Sequence, residues 1–183
     1  MKKQRAVPAP HPQLGQKRPA AGTPAPKPQE GVILFTVAGY KFAIAAGAVK
    51  EIRGMEGLQA FTLGGISARV GKLKYTLERD GTTYFVVDAS VHFHLKASTP
   101  ARILVLRNLP TAVLVDSTDR MTEISALHAL PRAFTGDERE WYRGLAVVGG
   151  EVVPVVNPGA FMSKSEQEIL SAGLERVRGV AVG

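Results

Sequence analysis

Two histidines, His92 and His94, stand two residues apart, and they are the part of this sequence with the best claim to direct chemistry. On a strand that spacing sends both imidazoles to one face, which is how a metal site can begin. A metal centre needs three or four ligands, and neither His11, His128 nor any nearby carboxylate completes the set by spacing, so the pair reads as structural. Asp116 and Asp119 fall in what reads as a strand-end turn, where carboxylates usually bond to nearby backbone. The chain has no Gly-x-x-x-x-Gly-Lys-[Ser/Thr] phosphate loop, no Gly-x-Ser-x-Gly elbow and no Gly-x-Gly-x-x-Gly fingerprint. It contains no cysteine, which removes disulfides and thiolate metal sites and suits a reducing compartment. These residues point to binding rather than catalysis, with no cofactor and no small-molecule substrate.

The elements that must carry any binding surface form a repeat. Gly81-Thr-Thr-Tyr-Phe-Val-Val-Asp88 returns sixty-nine positions later as Gly150-Glu-Val-Val-Pro-Val-Val-Asn157. Each is a turn glycine, an apolar β-branched run and a short polar residue suited to capping. The segment from Ile33 to Ile52 is echoed, in the same order, from Ile103 to Ile124. Two echoes in one order imply an internal duplication of about seventy residues, a period suited to a small all-β unit rather than a solenoid.

Strands are expected at Val32 to Val37, Tyr40 to Ile44, Val49 to Arg53, Lys72 to Arg79 and the apolar run Tyr84 to Val87, with the best hairpin turn at Asp80-Gly81. The second half offers strands at Ile103 to Leu106, Ala112 to Val115, Met121 to Ile124 and on either side of Gly149-Gly150. A helical period follows Pro158, opened by a capping box of Ser163 with Glu166 or Ser165 with Glu168. The expected organisation is a tail over 1–30, two intertwined units over about 31–100 and 101–162 with a strand possibly exchanged between them, and a helix over 163–178. Units this small are marginal alone, so a shared core is expected.

The first thirty residues hold seven of the twelve prolines and almost no large apolar side chain, a composition that cannot bury enough surface to fold. Six basic residues against Glu30 place five of the chain's seven net positive charges there. The basic character belongs to a tail, read first as a solvated linker and second as an attachment to an acidic surface. A nucleic-acid-binding barrel is the alternative class, and it is disfavoured because only two net charges remain for the folded part. No run approaches the roughly twenty apolar residues of a membrane span, and prolines interrupt the start where a signal peptide would have its apolar core. A cytoplasmic protein is expected.

Six segments together carry a family resemblance. They are Leu34-Phe35-Thr36 with Tyr40 and Ile44, Val49-Lys50-Glu51-Ile52-Arg53-Gly54, Val86-Val87-Asp88 with Phe93, Val115-Asp116 with Asp119, Trp141-Tyr142-Arg143-Gly144-Leu145, and Val152 to Asn157. In this order they resemble the CheW-like family of chemotaxis coupling proteins over about residues 31–178. The resemblance implies an all-β fold of two SH3-like five-stranded barrels around a common core, without a catalytic site. It implies two partners, the regulatory domain of a CheA-type histidine kinase and the helical hairpin of a methyl-accepting chemoreceptor. It places partner-binding positions at Val49 and Glu51, with Arg53 in the same matching segment and Arg79 as the nearest substitute for a displaced family arginine. Departures are concentrated at one corner. Family members usually show Leu-Arg-Gly and then an apolar-Pro-apolar run, whereas here stand Arg79-Asp80-Gly81 with Phe85 in place of the proline. Gly64-Gly65 to Arg69 and a lengthened Lys72 to Arg79 strand replace the usual proline-bearing segment. The chain therefore resembles a divergent member, serving chemotaxis or another signalling array.

Side chains alternate along a strand, so Val49 and Glu51 are expected on one side and Lys50 and Ile52 on the other. If Ile52 faces the core, Val49 and Glu51 are offered outward. The competing reading has Val49 completing the barrel and Glu51 merely solvated.

Overall fold

The computed structural model describes residues 29–61 and 71–180. The expected tail up to residue 28 and the Gly64 to Arg69 segment lie outside the described residues. Among the described residues the chain runs β1 (Glu30–Val37), β2 (Tyr40–Ala45), β3 (Val49–Arg53), β4 (Leu58–Ala60), β5 (Leu73–Arg79), β6 (Thr82–Asp88) and α1 (Ala89–His92). It continues through β7 (Arg102–Leu106), β8 (Thr111–Val115), β9 (Ser117–Ile124), α2 (Glu138–Trp141), β10 (Tyr142–Val148), β11 (Glu151–Val156) and α3 (Lys164–Val180). The fold is all-β in its core, and the strands form two sheets, ordered β10-β11-β2-β1-β9 and β3-β7-β8-β6-β5-β4.

Turn chemistry explains the hairpins. Ala38-Gly39, Asp80-Gly81 and Gly149-Gly150 each place two consecutive residues at positive φ, the geometry of the tight turn that matches strand twist.

The sheets do not divide at residue 100, and the exchange extends to several strands. Each half supplies an antiparallel hairpin, β1-β2 or β7-β8, which is completed by strands of the other half. β3 pairs with β7 and β9 with β1, both antiparallel, while β6 runs parallel to β8 and β11 parallel to β2. The reason lies in the connections. A hairpin needs about two loop residues to reverse, yet Asp116 alone separates β8 from β9. The strand cannot fold back on its own hairpin and crosses to the other sheet. Asp116 holds that corner, its Oδ2 accepting from the Ala38 amide at 2.7 Å and its own amide donating to the Thr36 carbonyl at 2.9 Å.

Burial follows from this exchange. Ile103, Leu104, Val105 and Leu106 are all fully buried, because β7 is covered on both faces. One face, with Leu104, Leu106, Val113, Val115 and Phe85, meets Ile33, Phe35, Phe42 and Ile44 of the other sheet in a common core. The opposite faces line two smaller cores, one with Leu77, Tyr84, Val86, Ile103, Val105 and Leu114, the other with Val32, Ala43, Ala146, Val153 and Val155.

Two caps close the plan. Asp88 takes the Ser90 amide at 2.9 Å and starts α1, so His92 lies on a helix rather than the strand that the two-residue spacing suggested. The capping box is Ser163 with Glu166: the Ser163 amide donates to Glu166 Oε2 at 2.7 Å and the Glu166 amide to Ser163 Oγ at 3.2 Å. Lys72 then reaches Glu166 Oε2 at 2.9 Å and ties the start of α3 to β5. Leu170, fully buried in the common core, shows that α3 covers it.

Candidate partner interface

Among the described residues β3 is the edge strand of its sheet, bonded to β7 on one side. An unpaired strand edge is a natural place for a partner, and one that proteins usually guard with charge. Arg107 sets its position from the next hairpin turn, Nε donating to the Gly47 carbonyl at 3.1 Å and a terminal nitrogen to the Val49 carbonyl at 3.3 Å.

The register of β3 is interrupted. Val49 stands opposite Leu106 but Glu51 opposite Val105, so Lys50 is an extra residue, a bulge. Cross-strand neighbours share a face. Val49 and Ile52 therefore share the face of Leu106 and Leu104, toward the common core, while Glu51 and Arg53 share the face of Val105 and Ile103, toward the smaller core. This corrects the outward placement of Val49 alongside Glu51. Val49 is 6% exposed and belongs to the common core. Ile52 does lie on the core-side face, but at the open edge it remains 40% exposed.

The other three positions named from the sequence converge. Glu51 Oε1 lies 3.4 Å from Arg79 Nε and 3.9 Å from a terminal nitrogen of Arg53. Neither contact is a hydrogen bond, and Arg53 Nε likewise has no acceptor, although both atoms are buried. Arg53 also closes the turn after β3 by donating to the Glu56 carbonyl at 2.8 Å. Beside this cluster Lys50 reaches Asp80 Oδ2 at 3.1 Å and the Tyr84 hydroxyl at 3.3 Å. The pairing with Asp80 and then Tyr84 raises the Lys50 pKa, and Lys50 depresses that of Asp80. Lys50, Tyr84 and Arg107 also line a cleft of about 450 Å³ next to the edge.

Partly exposed ion pairs of this kind contribute only about 0–1 kcal/mol each to stability. A chain that places three charged side chains and a half-exposed isoleucine along one open edge gains little folding free energy from them. The arrangement suits an interface that combines an apolar contact with neighbouring charge. The bulge at Lys50 and the Arg107 clamp were not anticipated from the sequence. Nothing in a single sequence marks a bulge in a five-residue strand, and Arg107 had only its place before a turn to recommend it.

The histidines take another role. His92 is 6% exposed and packs among Phe93, Trp141 and Phe161 with ring centroids about 5 Å away. Burial foremost, then the charge of Lys72, pushes its pKa down to about 3, so it is neutral. Among the described residues no group of three potential metal ligands comes together, and no helix is long and apolar enough to cross a membrane.

A family model for the CheW-like domain matches residues 31–166. The fold is similar to the crystal structure of scaffolding protein TtCheW from Thermoanaerobacter tengcongensis, at a TM-score of 0.60 and 13% identity, covering 70% of this chain and 88% of that one. No match was found among curated proteins. With the family model spanning about three quarters of its length, on a fold of two strand-exchanged sheets around one core, the chain belongs to the CheW-like family.

Proposed function

We propose that the protein is a non-catalytic adaptor that couples chemoreceptors to a CheA-type histidine kinase, in chemotaxis or a related signalling array. The observation that carries this reading is the open edge of β3, which presents the half-exposed Ile52 on one face and the Glu51, Arg53 and Arg79 cluster on the other. Family membership supplies the partner class, and the edge supplies the apolar contact with neighbouring charge that such interfaces use. Glu51, Arg53 and Arg79 act as the neighbouring charges, and Val49 supports the edge from below. Residues 31–178 work as one cytoplasmic domain, with residues 1–30 as a tether.

A pull-down from the native host, with the full chain and with Glu51→Arg, tests this. Recovery of a histidine kinase or receptor by the unmodified chain and its loss in the variant is the expected result. Equal recovery by both removes Glu51 from the interface, and recovery of neither partner class contradicts the adaptor reading.

A further inference from the structure

A cavity of about 530 Å³, which shares no lining residue with the β3 edge cluster, is walled by Trp141, His92, His94, Asp137, Glu140 and the Lys72–Glu166 pair. Its charge is not balanced. Lys72 and Glu166 neutralise each other, but among the described residues Asp137 and Glu140 have no ion-pair or side-chain hydrogen-bond partner. His92 is nine-tenths buried in the wall, and its Nε2 is bonded to nothing. An aromatic surface flanked by free carboxylates is the chemistry that receives a cation beside a proline. Proline-rich segments dock on aromatic rings, and tryptophan is the best partner for a cation above its face.

The same chain carries such a ligand. Residues 1–28 contain Lys2, Lys3, Arg5, Lys17, Arg18 and Lys27 with no acidic residue, and prolines adjoin the cations in Arg18-Pro19 and Pro26-Lys27-Pro28. The start of the described chain is anchored near the cavity, because Glu30 holds Arg143 through two bonds of 2.5 and 3.2 Å, and Arg143 is two residues beyond Trp141. Twelve residues separate Arg18 from Glu30, enough to reach about 37 Å at the roughly 3.1 Å per residue of an extended proline-rich chain. We propose that the basic, proline-rich segment before Glu30 docks in cis in the Trp141 cavity, seating a lysine or arginine against Asp137 and Glu140. Tethering supplies an effective concentration of millimolar order, so a contact too weak to form between molecules is populated within one.

Trp141 is the only tryptophan of the chain and reports directly on the cavity. Acrylamide quenching of its emission is measured in the full chain at low salt, in a tail variant (Lys17→Glu, Arg18→Glu, Lys27→Glu), in a cavity variant (Asp137→Lys, Glu140→Lys) and in their combination. Either variant alone is expected to raise the quenching constant about two-fold, as expected for losing a site half-filled by a millimolar tether, and the combination should restore it by exchanging the charges. High salt should act like the tail variant. A tail variant indistinguishable from the unmodified chain overturns the proposal, as does a combination that fails to restore protection. Protection that disappears on dilution also overturns it, because the occupant would then be another molecule.

Discussion

Replacing Leu104 with alanine tests the consequence of strand exchange. Leu104 is fully buried on β7, opposite Ile52 on one side and Val113 on the other, and faces the common core. Its loss leaves a cavity between two sheets that are each pinned by strands of both halves, so relaxation is limited and a cost of about 3 kcal/mol is expected within the range for leucine-to-alanine changes. For a chain of this size each kcal/mol moves the melting temperature by about 2–4 °C, giving a fall of about 6–12 °C. Calorimetry, far-UV circular dichroism and Trp141 emission should all record one transition shifted by the same amount. Trp141 is the informative probe, since it directly precedes β10 in the sheet that lacks Leu104. A Trp141 transition that stays in place while the dichroism splits in two would refute the reasoning.

Three further outcomes follow from particular contacts. Because the folded His92 pKa lies at about 3, below the usual 6.5, the unfolded chain binds the proton first, and stability should fall as pH drops below about 6.5. His92→Phe should flatten that slope between pH 7 and 4 in thermal melts, and an unchanged slope contradicts a neutral buried imidazole. Ser163→Ala removes half of the capping box and should cost about 1 kcal/mol in chemical denaturation, an effect absent if α3 is not capped there. Gly144→Ala would drive a methyl group into the His128 carbonyl oxygen, across the bridge between His128 and Leu145, so a melting temperature within experimental error of the unmodified chain would contradict the close approach.

The sequence made some levels of this structure legible and concealed others, for identifiable reasons. Hairpins such as Leu73–Arg79 with Thr82–Asp88 were readable because their periodicity and positive-φ turns are local. The α3 start was readable because a capping box is a four-residue signal. The grouping of strands was not, since the parallel pairings of β6 with β8 and β11 with β2 join segments that have no local mark of their partners. The duplication pointed to two similar units, and the one-residue Asp116 corner decided that they would exchange strands. At the proposed site on β3, Glu51, Arg53 and Arg79 converge in space, while Val49 is buried because alternation was broken by one bulged lysine. β4 escaped notice because three residues, Leu58–Ala60, carry too little pattern to register.

The most direct test of the adaptor account is calorimetric titration of the full chain with the regulatory domain of the host's CheA-type kinase, alongside Glu51→Arg and Arg79→Glu. The account predicts saturable binding by the unmodified chain, weakened about ten-fold or more by either charge reversal, consistent with the cost of at least about 1.4 kcal/mol for a tenfold loss. The melting temperatures should change little, since these partly exposed pairs add little to folding. Unmodified affinity in both variants would contradict the placement of the interface on β3, and no binding by the unmodified chain would contradict the kinase as its partner.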